Sequence, residues 1–245
     1  MRLLVSVVNM AEAIEAARGG AQIIDVKDPG AGALGAAPPS SIREVRDATP
    51  PGLPVSAALG DGPFEPRLAA RAAALAAECG ASFVKIGLRE TSANQALDTL
   101  RAVRASLPPT VHLIVAGFAD FRRAGSPDPL DLPLLAQAAG AQGFLADTAV
   151  KDGRGLLHWL DDTALRSLVT ACRARGLLCA LAGSLAPADL PLLAAIGPDI
   201  VGVRGAACAG DRAHGRVTRE RVTALIRALA LRGTRVEEEA RAARG

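Results

Sequence analysis

Short apolar runs alternate with Ala- and Arg-rich helical stretches along almost the whole chain. Eight strand candidates occupy 2–8, 23–27, 54–59, 83–88, 111–116, 143–147, 178–182 and 200–204. A helical segment follows each, at about 11–18, 40–48, 67–79, 93–106, 130–139, 162–175, 187–196 and 218–231. Continuously apolar, evenly spaced strands of this length suit a parallel sheet buried on both faces. Eight β-then-α units predict a single-domain (β/α)8 TIM barrel over 1–231, with a polar C-terminal extension over 232–245. An open doubly wound sheet is the alternative, but the turn after its first strand is normally Gly-rich, and here it reads VVNMAEA.

Local signals agree with these elements. Asn9 is placed to cap the first helix and Ser40 the second, and Pro187 suits the first turn of the seventh. Gly19, Gly80, Gly140, Gly176 and Gly197 stand at helix ends, where a left-handed cap is expected.

Composition narrows the function. Aromatics are 2% of the residues, with no Tyr, which argues against carbohydrate stacking or an aromatic nucleic-acid platform. The net charge is +3 and the basic residues are dispersed among acids, unlike a DNA-binding stripe; a modest positive balance suits a phosphorylated metabolite. Cys79, Cys172, Cys179 and Cys208 form no CxxC pair and read as buried apolar residues in a reducing compartment. His112, His158 and His214 share no metal-ligand spacing, so no metal is expected. The start, MRLLVSVV, resembles neither a signal peptide nor a membrane span, so a soluble cytoplasmic protein is expected.

Only three of the 28 basic residues are lysine: Lys27, Lys85 and Lys151. Each ends an apolar, strand-like run: IIDVK, SFVK and GFLADTAVK. Arg supplies surface charge equally well, but its guanidinium stays protonated and cannot form an imine. Barrel active sites lie at the C-terminal ends of the strands. There strand 2 delivers Asp25, Lys27 and Asp28; strand 3 delivers Ser56 and, just beyond, Asp61; strand 4 delivers Lys85. Strand 5 delivers Ala116 to Asp120, and strand 6 delivers Asp147, Thr148 and Lys151. Asp25 and Lys27 are two apart and share a strand face. Burial and neighbouring amines both lower a lysine's pKa, and a neutral amine can attack a carbonyl, with Asp25 or Asp147 shuttling protons. The structural alternative is that these lysines are buried ion-pair partners holding strand ends in place.

A second constellation is ALAGS, Ala180 to Ser184, with IVGVRGAAC, Ile200 to Cys208. Loops after strands 7 and 8 of a barrel commonly cradle phosphate, so Gly183, Ser184, Gly202, Arg204 and Gly205 are the candidate phosphate-binding residues. A third Gly-rich stretch, DPGAGALGA (Asp28 to Ala36), reads as a lid, a second anion loop or a plain connection.

Six segments together resemble the (5-formylfuran-3-yl)methyl phosphate synthases: IIDVKDPGAGALGA, VSAALGD, FVKIGL, DTAVKDG, LCALAGS and DIVGVRGAAC. The resemblance runs from Leu3 to about Leu229. It implies a TIM barrel that condenses two molecules of glyceraldehyde 3-phosphate, with loss of one phosphate and two waters, toward the furan of methanofuran. It implies no metal or organic cofactor. By the resemblance, Lys27 matches the Schiff-base lysine and Lys85 the proton acceptor, with Asp25, Asp147 and Lys151 as supporting polar residues. The loop after Lys27 has Ala33 where the family pattern suggests Ser. The rival readings are a Schiff-base phospho-sugar aldolase and a non-catalytic phosphate-ligand-binding barrel. The expected partner is a small phosphorylated aldehyde, with no nucleic acid or membrane, and Ala-rich outer helices leave room for a homo-oligomer.

Overall fold

The structure, a computed structural model, describes residues 1–230. Eight parallel strands close in chain order: β1 (Arg2–Val7), β2 (Ile23–Val26), β3 (Val55–Ala58), β4 (Phe83–Gly87), β5 (His112–Phe118), β6 (Gly143–Asp147), β7 (Leu178–Leu181) and β8 (Ile200–Val203). Closure is made by β1 against β8, with Leu3 opposite Val201 and Leu4 opposite Gly202. The expected TIM barrel is the observed fold. Segment 232–245, expected as a polar extension, lies outside the described residues. Among the described residues no helix is long and apolar enough to cross a membrane.

The outer layer contains α1 (Met10–Arg18), α2 (Pro39–Ala48), α3 (Pro66–Glu78), α4 (Ala93–Ser106), α5 (Phe121–Ala124), α6 (Leu132–Ala138), α7 (Leu156–Trp159), α8 (Asp162–Arg173), α9 (Leu190–Ile196) and α10 (Arg219–Ala230). Asn9 caps α1 as expected, its Oδ1 accepting the Glu12 N–H at 3.0 Å. Ser40 does not cap α2: that helix starts one residue earlier, at Pro39, whose fixed φ suits a first helical position without a side-chain cap. Gly80, Gly140, Gly176 and Gly197 are left-handed, but Gly19 has φ −76° and the turn falls on Gly20 at +96°. Gly19 is needed for another reason: a Cβ there would lie 2.5 Å from the Val222 Cβ of α10.

Two apolar clusters follow from strand alternation. Leu3, Val5, Val7, Val55, Leu113 and Val201 face outward and pack under the helices. Ile23, Phe83, Ile114, Leu145, Ala180 and Ile200 face inward and fill the barrel, with Leu4 and Leu178 against them. Further along the same inward rows come Ser6, Asp25, Ser56, Lys85 and Asp147, all buried. The barrel is therefore apolar at the N-terminal ends of its strands and charged at the C-terminal ends. After β8, a 3-10 turn (Gly205–Ala207) leads into a small hairpin of β9 (Cys208–Ala209) and β10 (Arg216–Val217), which closes over that charged end.

Candidate active site

A cavity of about 320 Å³ opens at the charged end. Lys27, Lys85, Asp147, Lys151, Gly183, Ser184, Gly202, Arg204 and Gly205 all line it, so the two constellations meet in one space. Asp25 stands behind Lys85. The volume is at the lower end of the range usual for small-molecule pockets.

The three lysines have different surroundings. Lys85 is ion-paired: its Nζ lies 2.6 Å from Asp25 Oδ2, which also accepts the Ser6 hydroxyl at 2.8 Å. The other Asp25 oxygen, Oδ1, has no partner among the described residues, nor has the hydroxyl of Ser56. The ladder sets Asp25 beside Ser56, and Ser56 lines the cavity. Buried polar atoms normally find a partner, so these two are candidates for contact with a bound molecule. Lys151 Nζ lies 2.6 Å from Asp147 Oδ1 and 3.0 Å from Thr148 Oγ1.

Among the described residues, Lys27 has no carboxylate within ion-pair distance. Its Nζ donates to the Ala33 carbonyl at 3.1 Å, and the residue is 6% exposed. Burial lowers its pKa from 10.5 to about 7, against the charge of Asp147, which holds it up; Lys85 pushes it down further. Such an amine is substantially neutral at physiological pH. Asp147 behaves oppositely. Burial favours its neutral form, but Lys151, Lys27 and the Thr148 amide outweigh burial and hold it at about 2.

The phosphate candidates line the wall formed by β7, β8 and their loops. Gly183 has φ +110° and Ser184 φ +48°, the latter a backbone state that a residue with a Cβ rarely adopts. Strain of this kind concentrates at functional sites. Among the described residues, no loop hydrogen bond uses the N–H of Gly183, Ser184, Gly205 or Ala206. Arg204 is less available than its position suggests. Its guanidinium lies 2.8 Å from Glu12 Oε2 and also donates to the Ser6 carbonyl at 3.1 Å and the Arg212 carbonyl at 2.8 Å. It ties β8 to α1 and to the hairpin, and its charge is already matched.

Two residues at this end lay outside the sequence-based assignment of the site. Arg212, at the hairpin, lines the cavity and reaches the carbonyls of Pro29 and Gly32 at 3.3 and 3.2 Å. Burial lowers its pKa. Glu12, the Arg204 partner, is buried in α1, and its Oε2 also accepts the Val8 N–H at 3.0 Å. The loop after Lys27 is folded inward, with Ala33 and Leu34 fully buried. Among the described residues no group of three or more His, Cys, Asp or Glu side chains is placed to hold a metal ion.

Comparison with known proteins gives this geometry a family. Solved barrels share the fold: phosphoribosyl anthranilate isomerase from Thermus thermophilus superposes with TM-score 0.65 at 19% identity, covering 94% of this chain and 98% of its own. A 3-hexulose-6-phosphate synthase gives TM-score 0.58 at 20% identity, covering 92% and 99%. At those identities the likeness concerns architecture alone. Sequence relatives go further. The (5-formylfuran-3-yl)methyl phosphate synthase of Methanococcus maripaludis is 45% identical over 232 residues, which is 93% of this chain and 98% of the relative. The protein of the same name from Methanocaldococcus jannaschii is 44% identical over 230 residues, 92% of this chain and 98% of the relative. The family described as 4-HFC-P synthase matches residues 3–226. With nearly the whole barrel matched and all three lysines inside the match, the chain belongs to the (5-formylfuran-3-yl)methyl phosphate synthase family of enzymes.

Proposed function

We propose that this enzyme condenses two molecules of glyceraldehyde 3-phosphate through an imine on Lys27, releasing one phosphate and two waters to leave a phosphorylated furan aldehyde. The observation that carries this reading is the buried Lys27 amine, with a pKa of about 7 and a carbonyl rather than a carboxylate as its partner. An amine in that state attacks an aldehyde without first having to lose a proton to another group. The neighbouring charges suit the steps that follow. The carbinolamine loses water to give an iminium, and loss of the adjacent C–H proton gives an enamine. That proton passes to Lys85, as the family resemblance assigns, with Asp25 2.6 Å away as its support and Asp25 Oδ1, which has no partner among the described residues, open to the reacting molecule. The enamine carbon attacks the second aldehyde. Elimination of phosphate and water, ring closure and hydrolysis of the last imine return Lys27 and deliver the product. The carbons and phosphates balance without an oxidant, and aromaticity drives the final steps.

The ionised Asp147, held by Lys151, stabilises the iminium charge on Lys27. The retained phosphate binds at Gly183, Ser184 and Gly205 through backbone N–H groups, beside Gly202, which lies within β8 and leaves room for the anion. Arg204 acts there by holding β8 in register, and Arg212, which lines the same cavity, adds positive charge at that end while it holds the loop after Lys27. Ser56 contacts a substrate oxygen. The substrate is a small phosphorylated aldehyde, and the proposed steps use no nucleic acid, membrane, metal or organic cofactor.

Incubation with glyceraldehyde 3-phosphate alone tests the reaction. The expected outcome is a product absorbing in the near ultraviolet, with one phosphate released for every two trioses consumed. A phosphate-retaining product without that absorbance would instead indicate a simple aldolase.

A further inference from the structure

Asp61 is a buried carboxylate with no part in the steps above. It follows β3 and faces the loop between β2 and α2. Its Oδ2 accepts the Ala33 N–H and its Oδ1 the Leu34 N–H, each at 2.8 Å. One side chain thus fixes two consecutive amides of the loop that covers Lys27. The surroundings leave Asp61 little freedom. A Cβ on Gly87 would lie 2.9 Å from its Cα and from its carbonyl oxygen, and that carbonyl accepts the Arg89 N–H at 2.7 Å. Gly32 has φ +127°, and a Cβ there would collide with Asp61 Oδ2. From the opposite side Arg212 holds the carbonyls of Pro29 and Gly32. The loop is gripped by an anion through its amides and by a cation through its carbonyls. The consequence falls on Lys27: the Ala33 carbonyl comes to 3.1 Å from Nζ, and Ala33 and Leu34 are fully buried.

We propose that Asp61 is a positioning residue that holds the β2–α2 loop closed over Lys27, presents the Ala33 carbonyl to the amine and keeps water from it. This rests on the reading of Lys27 as the imine-forming lysine. Burial is the largest influence on that amine, ahead of any neighbouring charge, so a loop that excludes water sets its reactivity. The charged groups around Lys27 are Asp25 from β2, Lys85 from β4, Asp147 at the end of β6 and Lys151 four residues beyond it. Asp61 approaches from the β3 side with its charge turned into the loop amides, and Arg212 from the β8 side with its charge on the loop carbonyls.

The sign of one shift separates this role from plain electrostatics. Removing a nearby anion favours a neutral amine and would lower the Lys27 pKa. Opening the loop to water favours the ammonium and raises it. The experiment compares the wild type with Asp61→Asn and Gly32→Ala. It measures the rate of borohydride-trapped imine formation with glyceraldehyde 3-phosphate from pH 5.5 to 9.5, with circular dichroism to confirm folding. Gly32→Ala leaves the Asp61 carboxylate intact and displaces the loop from it. In the wild type the rate should rise with pH through about 7. In both variants that rise should move alkaline by about one pH unit, with roughly tenfold slower trapping at neutral pH and recovery near pH 9. A rise that stays in place in the folded variants, or moves toward acid in Asp61→Asn, overturns the proposal. A wild type that traps nothing on Lys27 overturns the imine reading with it, whereas a Lys27 adduct with an unmoved rise overturns this proposal alone.

Discussion

Lys85 and Lys27 line the same cavity, both almost fully buried, and yet the barrel treats them differently. Lys85 has the carboxylate of Asp25 at 2.6 Å, whereas Lys27 has the Ala33 carbonyl at 3.1 Å. A buried charge is tolerable when it is paired and hydrogen-bonded; a buried amine without such a pair adapts by giving up its proton. The difference shows how one site can hold a charged lysine and a largely neutral one side by side. The third lysine extends the pattern, since Lys151 is paired with Asp147, leaving Lys27 as the lysine without a carboxylate partner among the described residues.

Replacing the unpaired lysine should have the largest effect on activity and the opposite effect on stability. Lys27→Met should reduce turnover by about 10³-fold or more, because no other group supplies the nucleophile. The same change should stabilise the fold. A lysine whose folded pKa is about 7, below its unfolded value of 10.5, takes up a proton on unfolding. The resulting cost is full below pH 7, shrinks as pH rises toward 10.5, and is on the order of 4 kcal/mol near neutrality. Urea melts of Lys27→Met and wild type at pH 7 and pH 10 should therefore differ most at pH 7.

The paired lysine should behave in reverse. Lys85→Met strands Asp25 in the interior and should destabilise the fold by about 3–5 kcal/mol as well as cutting activity. Adding Asp25→Asn should recover much of the stability and none of the activity, which a double-mutant cycle of denaturant melts and turnover would measure. A buried pair away from the reacting groups provides the control. Arg204→Met leaves Glu12 unmatched and should cost about 3 kcal/mol, with a smaller loss of turnover than Lys85→Met. The smallest expected effect is a shift in pH dependence. Asp147 is the strongest charge holding the Lys27 pKa up, so Asp147→Asn should move the pH rise of imine trapping toward acid, opposite to Asp61→Asn.

The paired and unpaired lysines were not equally visible in the sequence. The strands were visible because a parallel barrel buries both faces of each, turning them into unbroken apolar runs such as those ending in Lys27 and Lys85. The rarity of lysine and its place at the ends of such runs marked the amines. The two-residue period put Asp25 and Lys27 on one face, but pairing lives between strands, and nothing local says that Asp25 would take Lys85 rather than Lys27. Arg204 illustrates the same limit. Its inward direction follows from the row Ile200, Gly202, Arg204, whereas its partner Glu12 comes from α1 at the other end of the chain. Asp61 and Arg212 lie in loops, where there is no periodicity to read. Gly60 and Gly62 on either side of Asp61, both with positive φ, were the available sign of an unusual turn. Ser40 is not the cap its residue type suggests, because Pro39 begins the helix without a side-chain cap. The fifth unit holds two helices where its apolar pattern suggests one, α5 and α6, separated by a segment containing Pro127 and Pro129.

The most direct measurement is to trap the imine and find which lysine carries it. The protein is incubated with glyceraldehyde 3-phosphate and borohydride, digested and mapped by mass spectrometry, and the chain offers only three lysines to distinguish. One reduced triose adduct is expected, on Lys27. An adduct on Lys85 or Lys151 with Lys27 unmodified, or no adduct on the folded protein, would contradict it.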